Sequence, residues 1–207
     1  MTLRTADADP RGADLPWVPF TIPGSDPAVG MVRLEVDPAD GSSTSLVRFP
    51  PGWTRPVAGH YACDEEFVVL EGELIVSGTA YRPGDRALIP RGTVRIDSNS
   101  RSGALTLAWF AGIPRWVEGP ADYVPAPSER TPLRSVRVPA GGLPLRTGTA
   151  SETRLYATAP TTFGRTAAPA PAARALWLDG PRWTASAPGE PLPDRPGRVF
   201  LHLRYSN

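Results

Sequence analysis

The stretch GHYACDEEFVVLEGELIV, residues 59–76, holds many of the chain's reactive side chains. His60 is followed by Cys63, Asp64, Glu65 and Glu66. Imidazole, thiolate and carboxylate are the donors that hold first-row metals, and a histidine beside a glutamate is also an acid–base pair. A protein metal site takes three or four such donors. The chain has two histidines, His60 and His202, and one cysteine. The same residues therefore raise two chemistries: a metal centre short of ligands, or proton transfer without a metal.

The elements that position them are strands. The 207 residues include 26 prolines and 20 glycines, which break helices and suit short strands joined by turns. Residues 1–15 read as a flexible arm. Strands are expected at 29–36, 44–49, 65–70, 73–78, within 82–93, at 95–100 and at 103–110, with Glu71-Gly72 as a hairpin turn. Residues 16–112 then form one domain, an antiparallel sandwich or closed barrel. Residues 113–133 read as a linker or wrapping segment. Residues 134–207 read as a β-rich extension, with strands at 134–138, 153–159, 173–178 and 198–205 and a low-complexity loop at 166–173. PGRVFLHLRY (196–205) resembles SGALTLAWF (102–110) in pattern, so the extension is either a shrunken second copy or a further set of amphipathic strands.

The formal net charge of +1 gives no electrostatic case for nucleic acid or a membrane surface. One cysteine cannot form an internal disulfide, no run reaches the roughly 18 apolar residues of a membrane span, and MTLRTADADPRGADLP lacks the apolar core of a signal peptide. The expectation is a cytoplasmic protein.

Residues 52–99 resemble the cupin superfamily. Its first motif is a glycine, five residues, His-x-His, three or four residues, Glu, six residues and Gly. Gly52, Ala58, His60, Glu65 and Gly72 follow it with the four-residue spacing. The second motif is Gly, five residues, Pro-x-Gly, two residues, His, three residues and Asn, matched by Gly84, Pro90, Gly92, Arg95 and Asn99. The phrases LPWVPF, SLVRFPPGW and YRPGD look like the anti-sigma-factor-type (ChrR-like) branch, some members of which are bicupins. The resemblance implies an all-β jelly-roll barrel or sandwich, a C-terminal β extension or degenerate second cupin half, and a homodimer.

In metal-binding cupins the motif histidines and glutamate meet inside the barrel. Here Ala58 replaces one histidine and Arg95 another. Alanine offers no lone pair, and a guanidinium is permanently protonated. No metal is therefore expected, and the acid–base reading places His60, Glu65 and Arg95 in one pocket as catalytic residues. Arg95 would hold a carboxylate, enolate or phenolate, with His60 and Glu65 moving the proton. Alternatively the same ligand positions are repaired into an internal salt bridge. Strand alternation adds Phe67 and Val69 to the lining, with Arg48, Trp53 and Trp109 as further substrate-binding candidates beside Phe110. Glu66 and Asp64 are expected in solvent, and Cys63 as an inert small side chain.

The leading expectation is a metal-independent isomerase, epimerase, cyclase or lyase acting on a small organic molecule. One rival is a non-catalytic ligand-binding or sensor cupin. The other is a dioxygenase holding one divalent transition metal (Fe, Mn, Ni or Zn) through His60 and Glu65, with Cys63 or His202 recruited.

Overall fold

The structure is a computed structural model that describes residues 7–148, 151–160 and 171–205. Residues 14–133 form one compact unit; residues 7–13 and the described part of 134–207 form the other. All regular elements among the described residues are strands. Among the described residues no helix is long and apolar enough to cross a membrane.

Strand β1 (Asp7–Ala8) belongs to the second unit. The first unit runs through β2 (Val18–Phe20), β3 (Val29–Val36), β4 (Ser43–Phe49), β5 (Trp53–Arg55), β6 (Gly59–Tyr61), β7 (Glu65–Gly72), β8 (Leu74–Val76), β9 (Thr79–Tyr81), β10 (Asp85–Ile89), β11 (Ser98–Ser100), β12 (Ala104–Phe110), β13 (Trp116–Glu118) and β14 (Glu129–Pro132). The second continues with β15 (Leu143–Arg146), β16 (Ser151–Tyr156), β17 (Ala172–Trp177), β18 (Arg182–Ser186) and β19 (Val199–Arg204).

The first unit is built on a seven-stranded antiparallel sheet in the order β14-β10-β7-β12-β4-β3-β2. A four-stranded sheet, β5-β11-β8-β9, and the pair β13-β6 accompany it. The central strand β7 is buried from Glu65 through Leu70, which explains why EEFVVL lacks a clean apolar–polar alternation. Phe67 and Val69 join Val47, Phe49, Ala104 and Ala108 in the core of this unit, together with Leu74 and Tyr81.

Glu71-Gly72 is not a hairpin. β7 pairs with β10 and β12, whereas β8 pairs with β9 and β11, so the chain turns a corner between two sheets. Gly72 has φ +70°, and a Cβ there would lie 2.0 Å from the Gly103 carbonyl oxygen, so the corner requires glycine. Part of the expected linker is structured: β13 pairs with β6 and β14 with β10, wrapping the barrel.

The second unit is a single antiparallel sheet, β1-β18-β17-β19-β16-β15. Ala173, Ala175, Trp177, Val199, Leu201 and Leu203 form its core cluster. Residues 7 and 8, expected in a flexible arm, pair with Thr184 and Trp183, while residues 1–6 lie outside the described residues. The expected strand at 134–138 is turn and irregular chain instead; the Arg134 side chain donates to the Leu178 carbonyl and the Arg198 side chain to that of Val136. Most of the low-complexity loop, residues 166–170, also lies outside the described residues.

Candidate functional site

A cavity of about 130 Å³ opens between the sheets of the first unit. Cross-strand register sets its wall as two rungs. One rung is Arg33–Ser45–Ala108–Phe67, and the next is Ser43–Phe110–Glu65. Tyr61 from β6 and Leu74 from β8 also line it, as do Val29, Val47 and Thr106. Phe20, Pro23 and Arg33 are exposed members of the lining and mark its mouth. Three side chains in this lining are ionisable: Arg33, Tyr61 and Glu65.

Behind Tyr61 and Glu65 lies a buried charged cluster. The Arg95 guanidinium donates to and ion-pairs with the Glu65 carboxylate, and lies 4.6 Å from the centre of the Tyr61 ring. Arg55 donates to the Tyr61 hydroxyl at 3.3 Å and stacks on Trp116 at 4.0 Å. Phe110 and Trp116 meet the Tyr61 ring edge-on at 5.3 and 5.2 Å. Arg55 and Arg95 are each 4% exposed, so two guanidinium charges and one carboxylate share this interior. Neither arginine's Nε has a hydrogen-bond partner among the described residues. Burial draws the Arg55 pKa below its usual value. Burial also pushes the Tyr61 phenol above its usual range, against the nearby Arg55 and Arg95 charges, so Tyr61 is a neutral O–H at physiological pH.

The expected site residues divide. Glu65 and Phe67 line the cavity, and Arg95 holds Glu65 from behind. His60 does not line it. Successive strand residues face opposite ways, and on β6 it is Tyr61 that faces the cavity. His60 is buried on the other face, where its Nδ1–H donates to the Gly119 carbonyl at 3.0 Å. Arg48 also points away: it is exposed, with its guanidinium 4.0 Å over the Trp17 ring, because Val47 and Phe49 take the inward positions of β4. Trp109 gives way to Phe110 and Ala108 on β12 by the same alternation. Trp53 is core, 2% exposed and packed edge-on against Phe49 at 4.7 Å. Glu66, expected in solvent, is 2% exposed and ion-paired with fully buried Arg86. Asp64 is half-buried and accepts a hydrogen bond from the Arg91 amide at 2.9 Å.

Tyr61 was missed through one choice of spacing. The first cupin motif allows three or four residues before the glutamate. Four puts Ala58 and His60 at the histidine positions; three puts Gly59 and Tyr61 there, with six rather than five residues after Gly52. The structure favours three, since Tyr61 lines the cavity and Ala58 is exposed. Gly59 pairs with Arg95 across an isolated bridge. A Cβ on Gly59 would lie 2.6 Å from the Trp116 ring and 2.5 Å from the Val117 carbonyl oxygen, so glycine admits β13 against β6.

This donor set does not fit a first-row metal. With the three-residue spacing, the ligand positions of the two motifs carry glycine, a neutral phenol, a carboxylate already paired, and a guanidinium. Among the described residues no three His, Cys, Asp or Glu side chains form a group able to hold an ion. The Cys63 thiol is pushed up to about 11, chiefly by burial, and contacts the Gly112 carbonyl at 3.6 Å, so it offers no thiolate near neutral pH. His202 lies in the second unit, where its Nε2 accepts from Arg146 at 3.1 Å. Burial, then Arg146, Arg204 and Arg174, hold its pKa well below the usual histidine range.

No protein-family model matches the chain, and no curated protein matches it in sequence. Solved structures do match in fold. A Nostoc punctiforme protein described as a "putative dioxygenase" aligns over 90% of this chain and 77% of its own, at 16% identity and TM-score 0.62. Protein YlbA of E. coli aligns over 96% and 82%, at 14% identity and TM-score 0.51. An RmlC-like cupin protein of Ralstonia eutropha aligns over 57% and 76%, at 19% identity and TM-score 0.43. At these identities the likeness concerns fold. The chain is an all-β protein with the cupin jelly-roll fold, as its two motifs imply.

Proposed function

We propose that this cupin-fold chain binds a small organic molecule in the cavity of its first unit and performs metal-independent acid–base chemistry on it. The observation that carries this is the pairing of Glu65 and Tyr61 in one largely apolar wall. Glu65 supplies a carboxylate that can take a proton, and Tyr61 supplies a phenol O–H that can give one. Arg95 holds the Glu65 carboxylate in place through their ion pair, acting as a positioning residue. Proton removal and return at adjacent atoms is the chemistry of isomerases, epimerases, cyclases and lyases. The size of the cavity bounds the substrate. A space of about 150 Å³ holds a benzene-sized molecule, so 130 Å³ suits a body of about six non-hydrogen atoms inside the cavity, well short of a nucleotide.

The test is proton exchange. Small 2-oxo acids and 1,3-diketones are incubated with the chain in D2O and followed by 1H NMR. The expected result is catalysed C–H exchange on at least one compound, lost in Glu65→Gln, strongly reduced in Tyr61→Phe and retained in His60→Gln. Exchange that survives Glu65→Gln in a folded variant contradicts the proposal. A second reading rests on the Glu65–Arg95 ion pair, which satisfies the carboxylate without any substrate. A barrel of that kind binds and senses its ligand, raising the melting temperature without turnover.

A further inference from the structure

We infer that the cavity takes a small organic anion, with Arg33 and Ser45 as the residues that hold its charged oxygens at the mouth. This rests on the cavity being the ligand site. Two observations carry it independently.

The first is the charge of the enclosure. Arg33 in the lining and Arg55 and Arg95 in the cluster behind it supply three guanidinium charges, and Glu65 supplies one carboxylate. Arg55 and Arg95 are removed from water, so little solvent screens the excess. An anion entering this space is stabilised and a cation is repelled.

The second is the placement of Arg33. It sits directly across from Ser45 on the neighbouring strand, and both side chains line the cavity. Arg33 is exposed and forms no ion pair among the described residues. A guanidinium and a hydroxyl borne by cross-strand neighbours supply the donors that the two oxygens of a carboxylate accept. Arg33 on β3 and Glu65 on β7 are three strand positions apart, or about 14 Å between backbones at roughly 4.8 Å per strand. Both residues line the same cavity, and the span between them has room for a body the size of one ring. A molecule with its carboxylate at Arg33 therefore presents its far carbons toward Glu65 and Tyr61.

The test is calorimetric titration of the full chain with benzoate, benzamide, isobutyrate, isobutyramide and toluene. The expected result is that each acid binds at least about tenfold more tightly than its amide. Arg33→Gln removes most of that ratio, Arg33→Lys retains part of it, and Ser45→Ala lowers it about threefold. Toluene, an uncharged reporter of the cavity, binds equally to wild type and to the Arg33 variants. Acids and amides of equal affinity, or a ratio unmoved by Arg33→Gln, overturn the inference. If toluene binds and neither acid does, the anion inference fails while the cavity reading stands; if no probe binds, both fail.

Discussion

The two units of the chain treat their interiors in opposite ways. The first encloses space and keeps charge beside it: a 130 Å³ cavity with Glu65, Arg95 and Arg55 buried at one end. The second fills its sheet face with Trp177, Val199, Leu201 and Leu203, and its histidine is kept neutral among arginines. A hollow interior with buried charge costs stability, because cavity walls forgo packing contacts and desolvated ions need exact partners. The apolar cluster of the second unit carries no such cost, although that unit also buries Glu152 and its Trp177 borders a surface cleft. The contrast is what the proposed ligand site in the first unit rests on.

The largest effects should come from breaking the charged end of the hollow unit. Arg95→Leu alone leaves Glu65 buried and unpaired and should cost about 3–5 kcal/mol in chemical denaturation. Combining it with Glu65→Leu should recover most of that loss, because an apolar pair replaces an ionic one of similar size. If the double variant is as unstable as the single, the cluster is held together by packing rather than charge.

Truncation should separate the filled interior from the hollow one almost as strongly. Trp177→Ala in the second unit should cost about 3–5 kcal/mol, whereas Phe110→Ala, at the edge of an existing cavity, should cost about 1–2 kcal/mol. Ala108→Val pushes the comparison further by adding methyl groups to the empty space. It should stabilise the protein by about 1 kcal/mol and abolish ligand-induced melting shifts. Equal costs for the two truncations would remove the distinction.

Cys63 in the first unit and His202 in the second give opposite pH responses. The Cys63 thiol has a raised pKa, so the folded first unit binds that proton more tightly than the unfolded chain does. Its contribution is present below about pH 9 and is lost as pH rises toward about 11, a change on the order of 2 kcal/mol. His202 has a lowered pKa, so the unfolded chain binds that proton more tightly. Its contribution is present above about pH 6.5 and is lost on acidification. Melting temperature against pH should therefore fall at both ends. Cys63→Ala should flatten the alkaline limb and His202→Asn the acid limb. The smallest effect belongs to His60→Gln, which should cost about 1 kcal/mol for the contact to Gly119 and leave ligand binding intact.

Much of the fold was legible because period and punctuation agree with it. VGMVRLEV became β3 over the same residues, and GALTLAWF became β12 less its first glycine. Less was legible where one residue decides a face. Alternation flips every side chain when the register moves by one, so choosing four rather than three residues before Glu65 promoted His60 over Tyr61. The same rule separates Phe110 from Trp109, and Val47 and Phe49 from Arg48. Glu66 and Arg86 were not legible as a buried pair, since a glutamate beside Glu65 reads as solvent-facing until β10 is laid against β7. Glu71-Gly72 has hairpin composition, and only the pairing of its flanking strands shows a corner between sheets.

The central claim is that the barrel has exchanged a metal's ligands for an acid–base pair and its counter-ion. Elemental mass spectrometry tests it most directly, on protein purified without chelator or immobilised nickel, beside a Tyr61→His, Arg95→His double variant. That variant restores two imidazoles around Glu65 and removes the competing guanidinium. The account predicts wild-type protein essentially free of transition metal and a variant that gains a divalent ion. Near-stoichiometric iron, manganese, nickel or zinc in the wild type would contradict it.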